Sequence, residues 1–171
     1  SGSMQGESIT QAKQALLTAI NQLSELDTFN LIEFNSYAQN LWHKAKAATQ
    51  HNKNEAIAFV SALSANGGTN MHKAFTLALN KQTLTTAKEQ PAKINQPPKM
   101  RQIIFITDGS VSNEKALMQQ IERNLGDSRL FTVGIGSAPN SYFMTEAAKM
   151  GRGSFTYIGS THQVKDKMLL Q

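Results

Sequence analysis

The stretch IIFITDG, from Ile103 to Gly109, constrains the fold of this chain more than any other segment. Its apolar residues run on without the alternation expected of a strand that has one face in water, so the pattern predicts a strand buried on both faces. Such strands occur in parallel sheets that are covered by helices on both sides. The chain is therefore expected to contain a parallel sheet, with Asp108 directly after its most buried strand.

Helical and strand patterns alternate along the rest of the chain. Apolar spacing predicts helices over Glu7–Leu23, Lys53–Leu63, Met71–Leu79, Asn113–Leu125 and Tyr142–Met150, with a last one starting at Val164. Strands are predicted over Thr28–Phe34, Ala38–Trp42, Leu130–Ile135 and Ser154–Ile158, the first two joined by a turn at Asn35 and Ser36. This order predicts a doubly wound, mostly parallel α/β sheet of the Rossmann-like class, with one antiparallel edge strand.

All of residues 1–171 are predicted to form one domain. Segment 83–100 holds three of the four prolines and almost no large apolar residue, which is typical of a surface loop. No apolar run approaches the ~20 residues of a membrane-spanning helix, so no transmembrane segment is predicted. The absence of cysteine excludes disulfides and thiolate metal sites.

The net charge of +5 is concentrated in the middle of the chain. Between His43 and Arg101 there are nine Lys or Arg residues, against only Glu55 and Glu89. A polyanion or nucleic-acid surface is one interpretation, but no stacking aromatics alternate with the lysines and no DNA-binding motif occurs. The pattern favours a solvated basic face that meets an anionic partner, with no nucleic acid bound. Lys44, Lys46, Lys88, Lys93 and Lys99 are expected to face solvent.

Hydroxyl and carboxylate side chains are predicted at the carboxyl ends of the strands, where ligands gather in such sheets. Asp108 follows a buried strand, Thr69 follows two glycines just before a helix, and Ser1 and Ser3 precede the first helix. Each could simply cap a helix or a turn. Together, oxygen donors with no cysteine and only His72 nearby suit a hard cation such as Mg²⁺.

The segments SGSM, GGTNM and FITDG, in this order, resemble the three loops of a von Willebrand factor type A domain. DTFNLIEFNSYAQNLW further resembles the subgroup of inter-alpha-trypsin inhibitor heavy chains and bacterial surface proteins with a VIT domain. The family's metal-ion-dependent adhesion site (MIDAS) reads D-x-S-x-S, then Thr, then Asp. The resemblance implies that Ser1, Ser3, Thr69 and Asp108 hold Mg²⁺, Mn²⁺ or Ca²⁺, and that the domain lies outside the cell, at its surface or in the periplasm.

The resemblance also implies that part of the family's fold lies upstream of Ser1. The family's first aspartate stands two residues before the position of Ser1, at the end of a central strand. The chain is therefore expected to be truncated at its N-terminus, with weak or no metal binding. The strands at Phe29–Phe34 and Ile103–Thr107 are expected to be separated by an empty slot of roughly 9–10 Å. A cloning remnant is the alternative interpretation of Ser1–Ser3.

The function implied by the resemblance is a non-enzymatic adhesion or interaction module. Its cation is completed by an Asp or Glu carboxylate of a partner protein, and the oligomeric state stays open. An enzyme is the alternative, because GIGSAP, Gly134 to Pro139, is similar to a dinucleotide-binding loop that lacks its third glycine. No catalytic motif of the esterase, P-loop or zinc-protease kind occurs.

Overall fold

The computed structural model describes residues 4–80, 100–108, 113–136, 139–160 and 163. Ser1, Ser3, residues 83–99 of the predicted surface loop and the helix predicted from Val164 lie outside these residues. So do three of the five lysines expected to face solvent, namely Lys88, Lys93 and Lys99.

Five helices and seven strands alternate within the described residues. The helices are α1 (Glu7–Gln22), α2 (Gln50–Ala62), α3 (Met71–Leu79), α4 (Glu114–Asn124) and α5 (Ser141–Met150). The strands are β1 (Thr28–Phe29), β2 (Ile32–Phe34), β3 (Ala38–Asn40), β4 (Lys46–Ala47), β5 (Gln102–Thr107), β6 (Arg129–Ile135) and β7 (Arg152–Ile158). Most predicted elements are confirmed to within three residues. Helix α2 begins earlier than predicted because the hydroxyl of Thr49 caps it by accepting the N–H of Asn52.

Strands β5, β6 and β7 form the predicted parallel sheet, in that order. The central strand β6 is the most buried, with Leu130, Val133 and Ile135 inaccessible to solvent. The prediction that the IIFITDG strand is buried on both faces is wrong at Ile104, which is 39% exposed. The physical reason is position: among the described strands, β5 lies at an edge of its sheet and pairs only with β6.

The antiparallel part of the fold is a separate hairpin. β2 pairs with β3, and β1 pairs with β4. The single strand predicted over Thr28–Phe34 is interrupted at Asn30, whose side chain accepts the N–H groups of Leu31 and Trp42 and donates to the Trp42 carbonyl. These bonds replace a regular ladder at this point, and the strand resumes at Ile32. β4, a two-residue strand, was not predicted.

Three phenylalanine rings connect the hairpin to the parallel sheet. The ring of Phe105 on β5 stacks on Phe34 of β2 at a centroid distance of 5.5 Å and lies 4.8 Å from Phe75 of α3. β2 and β5 are not hydrogen-bonded to each other and belong to different sheets. Ring contacts therefore join two strands whose backbones do not pair.

Replacing the middle ring of this stack is expected to destabilise the fold strongly. Phe105 is 6% exposed, so Phe105→Ala leaves a cavity between the hairpin, α3 and the sheet, and should cost about 3–5 kcal/mol of unfolding free energy. Tyr142→Ala, at a residue that is 74% exposed, is the control and should change it by less than about 0.5 kcal/mol. Urea denaturation measures both. If both variants lower the unfolding free energy equally, the ring stack does not stabilise the fold as proposed.

None of the described helices combines the length and the apolar character that crossing a bilayer requires. Of the lysines expected to face solvent, Lys44 is exposed, as predicted. Lys46 is only half-exposed and forms an ion pair with Glu55, with 3.1 Å between its Nζ and the carboxylate Oε2. The Lys46 side chain is 41% exposed and so faces solvent as predicted, while its ion pair with Glu55 was not predicted.

Candidate metal site at the carboxyl ends of the strands

Asp108 lies where the parallel sheet ends. It directly follows β5 and is half-buried. Its Cβ lies 3.5 Å from the point that a Cβ on Gly136 would occupy, and Gly136 directly follows β6. Gly136 has a φ of +81°, which an L side chain rarely adopts. The carboxylate is therefore attached at the edge formed by the ends of β5 and β6.

The first turns of α1 pack on this same edge. The side-chain carbonyl of Gln11, which is 1% exposed, accepts the N–H of Gly136 at 3.1 Å, and the Tyr157 hydroxyl donates to the Gly136 carbonyl at 2.9 Å. Ser8 Oγ lies 2.7 Å from the point that a Cβ on Gly136 would occupy. The start of α1 is thus fixed beside the end of β6. Ser1 and Ser3, a few residues upstream, are outside the described residues.

The loop that carries Thr69 is held by the hairpin turn between β2 and β3. The N–H of Gly68 donates to Ser36 Oγ at 2.8 Å, and the N–H of Asn70 donates to the Asn35 carbonyl at 2.7 Å. Gly67 has a φ of +71°, which explains a glycine there. Sequence reasoning recognised the glycines but missed Asn35 and Ser36 as supports. The signal was available in the predicted turn, whose short polar side chains commonly bind nearby backbone.

The structure assigns the helix-capping roles to neighbours of the candidate ligands. The Asn70 side chain caps α3 by accepting the N–H of Lys73, so Thr69 is not the cap. The N-cap residue of α4 is Asn113, in the left-handed conformation at φ 64°, so Asp108 is not the cap either. Helix capping therefore explains neither Thr69 nor Asp108.

A cleft of ≈ 450 Å³ opens beside Thr69. Its lining joins the Thr69 loop to Ser36 of the hairpin and to Asn113 at the start of α4. His72, the histidine expected near the site, also lines it. Asp108 is not among the residues that line this cleft.

The donor types at this end of the sheet fit a hard divalent cation. A threonine hydroxyl and an aspartate carboxylate are oxygen donors of the kind that Mg²⁺, Mn²⁺ and Ca²⁺ take. In the part of the chain that is described, no group of three or more His, Cys, Asp or Glu residues forms a competing metal site. Of the four predicted ligands, the described residues include one hydroxyl and one carboxylate, those of Thr69 and Asp108.

Comparison with known proteins adds the family. The profile of the von Willebrand factor type A domain matches residues 1–157. The mouse inter alpha-trypsin inhibitor, heavy chain 4, is 32% identical over 153 residues, which are 86% of this chain and 16% of that protein. Mouse protein mono-ADP-ribosyltransferase PARP4 is 29% identical over 160 residues, which are 94% of this chain and 7% of PARP4. The chain thus spans less than a fifth of the length of these relatives.

Solved structures share the fold. A von Willebrand factor type A protein from Catenulispora acidiphila superposes with a TM-score of 0.81 at 21% identity, covering 98% of this chain and 38% of that chain. Proximal thread matrix protein 1 from the mussel byssus, solved with a zinc-occupied MIDAS motif, superposes with a TM-score of 0.66 at 12% identity. That match covers 95% of this chain and 41% of the mussel protein.

Proposed function

This chain belongs to the von Willebrand factor type A family, and from that membership we propose that it is a non-enzymatic interaction module dependent on a divalent cation. The observation that carries the proposal is that Asp108 directly follows β5 at the carboxyl edge of the parallel sheet, while Thr69 precedes α3 in a loop held by the hairpin turn. Both stand in the family's loops, and neighbouring asparagines take the helix-capping positions. The partner we propose is a protein that presents an Asp or Glu carboxylate.

Four residues would hold the cation: Ser1, Ser3, Thr69 and Asp108. Mg²⁺ is the proposed ion, with Mn²⁺ or Ca²⁺ as substitutes, since all three prefer oxygen ligands. When bound, the cation supplies a positive charge with room for one carboxylate from outside. The hairpin turn and α1 keep the loop ends in place, so the protein's own contribution is a preformed arrangement. The zinc-occupied MIDAS motif of the mussel protein supports a metal site in this fold.

The nucleotide-binding alternative is weakened by the contacts of the GIGSAP segment. A dinucleotide loop needs backbone N–H groups that face the pyrophosphate. The N–H of Gly136 instead donates to Gln11, and Gly134 packs against Phe155 and Pro139. The match to PARP4 involves 7% of that enzyme, so it supports a reusable module rather than a catalytic unit.

The location we propose is extracellular, at the cell surface or in the periplasm, as the resemblance to this family implies. A cation that is completed by a partner's carboxylate suits adhesion there. The alternative is that the domain binds polyanions through its basic surface. Polyanion binding that does not need metal would favour this alternative.

Calorimetry on an extended chain tests the proposed function. We define the extended chain as the 171 residues preceded by an apolar strand of about five residues that ends in Asp-x, so that this Asp stands two residues before Ser1. It should bind Mn²⁺, and a blocked peptide with one Asp should bind only when Mn²⁺ is present. Binding of NAD⁺ without Mn²⁺ would instead establish the nucleotide alternative.

Thr69→Ala in the extended chain should weaken Mn²⁺ binding by at least about tenfold, or about 1.4 kcal/mol, because it removes one oxygen donor. Thr18→Ala is the matched control, since Thr18 lies in the middle of α1 and its hydroxyl donates to the Gln14 carbonyl. Titration calorimetry compares the two. Unchanged affinity in Thr69→Ala would remove this residue from the site.

A further inference from the structure

A groove runs along the outer edge of the hairpin, apart from the candidate metal site. It has a volume of ≈ 770 Å³ and extends from β3 through residues 41–46 to Leu77 of α3. None of its lining residues also lines the cleft at Thr69. The groove therefore belongs to a different surface and has no part in the proposed cation chemistry.

One wall of the groove is the free edge of β3. The N–H of Leu41 donates to the Leu31 carbonyl, and the Tyr37 carbonyl accepts the N–H of Asn35, so the odd-numbered residues here face β2. In an antiparallel ladder the residues between them turn their N–H and C=O groups to the opposite side. Ala38 and Asn40 thus direct theirs toward the groove. Among the described strands, β3 has β2 as its only neighbour, so this edge can accept another strand.

The floor of the groove is apolar and centred on Trp42. The indole ring meets Phe29 edge-on, with ring centroids 5.2 Å apart, and its N–H donates to Glu55 Oε2 at 3.1 Å. Lys46 Nζ lies 4.7 Å from the centre of the same ring. Leu77 adds an aliphatic surface to the lining. The Trp42 ring is therefore held in place by its contacts, and together with Leu77 it presents an apolar surface to the groove.

The rim of the groove is basic. His43, Lys44 and Lys46 line it, and none of the described residues that line it is acidic. The nearby Glu55 is already engaged, since the hydrogen bond from Lys46 lowers the pKa of this carboxyl below its ordinary value. Since Lys46 is paired with Glu55, the uncompensated charge at the rim is the positive charge of Lys44.

Charge also selects among possible occupants. Residues 81–99 of this chain carry four lysines and one glutamate, so they would be repelled by the rim. A second copy of the chain has a net charge of +5 and is disfavoured for the same reason. An acidic segment is attracted to the rim, and an extended one satisfies the free edge.

We propose that this groove binds an extended acidic peptide segment of a partner protein, which adds a strand to β3 and places an apolar side chain beside Trp42. Backbone hydrogen bonds to Ala38 and Asn40 supply affinity, and carboxylates near His43 and Lys44 supply selectivity. Metal is not involved, so the interaction is independent of the proposed cation site.

Fluorescence tests the proposal directly, because Trp42 is the only tryptophan in the chain. The probe is a blocked eight-residue peptide of alternating Glu and Val, titrated into the 171-residue protein with and without EDTA. It should change the Trp42 emission and bind at least about tenfold more tightly than the Lys-Val counterpart. Lys44→Glu should weaken the acidic peptide by at least about tenfold, whereas Lys115→Glu, on exposed α4, should not.

Backbone methylation of the probe separates strand addition from plain charge attraction. A strand added at an edge bonds along one side only, so N-methylation of one alternate set of peptide residues should abolish binding while the other set is tolerated. Equal effects of the two sets, or equally tight binding of a heparin hexasaccharide that Lys44→Glu also weakens, would overturn the proposal in favour of a polyanion surface. If sedimentation shows a protein dimer, and adding the peptide does not change the fraction of dimer, the proposal would be overturned in favour of a second copy as the occupant.

Discussion

The extended chain is expected to melt about 10 °C above the 171-residue chain and to bind Mn²⁺ more tightly at the same time. The first effect comes from β5, which carries apolar side chains toward both faces although it lies at an edge of the described sheet. Ile104 is 39% exposed there, and Phe105 contacts the hairpin only through rings. A strand added beside β5 would cover Ile104 and extend the parallel sheet.

The size of the effect follows from burial and ordering. Five apolar side chains contribute about 8–15 kcal/mol when buried, at about 1.5–3 kcal/mol each. Ordering five residues costs about 1–2 kcal/mol each, so the midpoints of the two ranges leave a net gain of about 4 kcal/mol. For a domain of this size about 1 kcal/mol corresponds to roughly 2–4 °C in Tm. Without that gain, the 171-residue chain is expected to aggregate readily, since an unpaired apolar strand edge invites association.

The position of α1 suits such an added strand. Gln11 and Ser8 lie at the carboxyl end of β6, so a strand parallel to β5 would end near the point where α1 begins.

Two controls separate the effect of the extension on Tm from its effect on Mn²⁺ binding. An extension with polar residues in place of the apolar ones should restore metal binding less well and leave Tm near its starting value. An apolar extension that ends in Ala-x should raise Tm without raising Mn²⁺ affinity. If polar and apolar extensions give the same Tm, there is no slot between β2 and β5.

Sequence patterns were sufficient for the parallel sheet because its strands are long and strongly apolar. Leu130–Ile135 lies in the buried centre of the sheet, and the helices around it show clear apolar periodicity. The hairpin was harder to predict. Asn30 breaks the strand through side-chain bonds to Trp42, twelve residues away, and no local propensity encodes that contact. The contacts of Lys46 with Glu55 and Trp42 were not predicted for the same reason, since tertiary structure alone brings these partners to it.

The candidate site could be predicted from sequence only in part. Asp108 and Thr69 stand next to recognisable strand and helix signals, so their places at the carboxyl ends were predictable. Their supports were not, because Gln11 reaches Gly136 across 125 residues and Ser36 reaches Gly68 across 32. Ser1 and Ser3 remain predictions from the resemblance, and the assignment of all four ligands depends on metal-binding experiments.

Asp108→Ala in the extended chain is expected to abolish measurable Mn²⁺ binding, a loss of at least about 100-fold or about 2.8 kcal/mol. In the extended chain the added Asp and Asp108 are the two proposed carboxylates, so removing Asp108 takes away half of the charge that compensates the cation as well as a donor atom. The loss should exceed that of Thr69→Ala, which removes a neutral hydroxyl. Calorimetry at fixed pH and ionic strength measures both variants against the extended chain.

The comparison of Asp108→Ala with a matched control separates loss of a metal ligand from loss of charge. Asp127→Ala is the matched control, because Asp127 is exposed in the turn after α4 and far along the chain from the loops of the site. It makes the net charge of the protein one unit more positive, as Asp108→Ala does, so it corrects for the general electrostatic effect on Mn²⁺ binding. Equal losses of Mn²⁺ affinity in Asp108→Ala and Asp127→Ala would mean that binding depends only on the overall charge of the protein. That result would contradict the proposed site. A selective loss in Asp108→Ala, together with an unchanged Tm, would show that the carboxylate at the end of β5 binds the ion directly, because a variant that merely disturbed the sheet would also melt earlier.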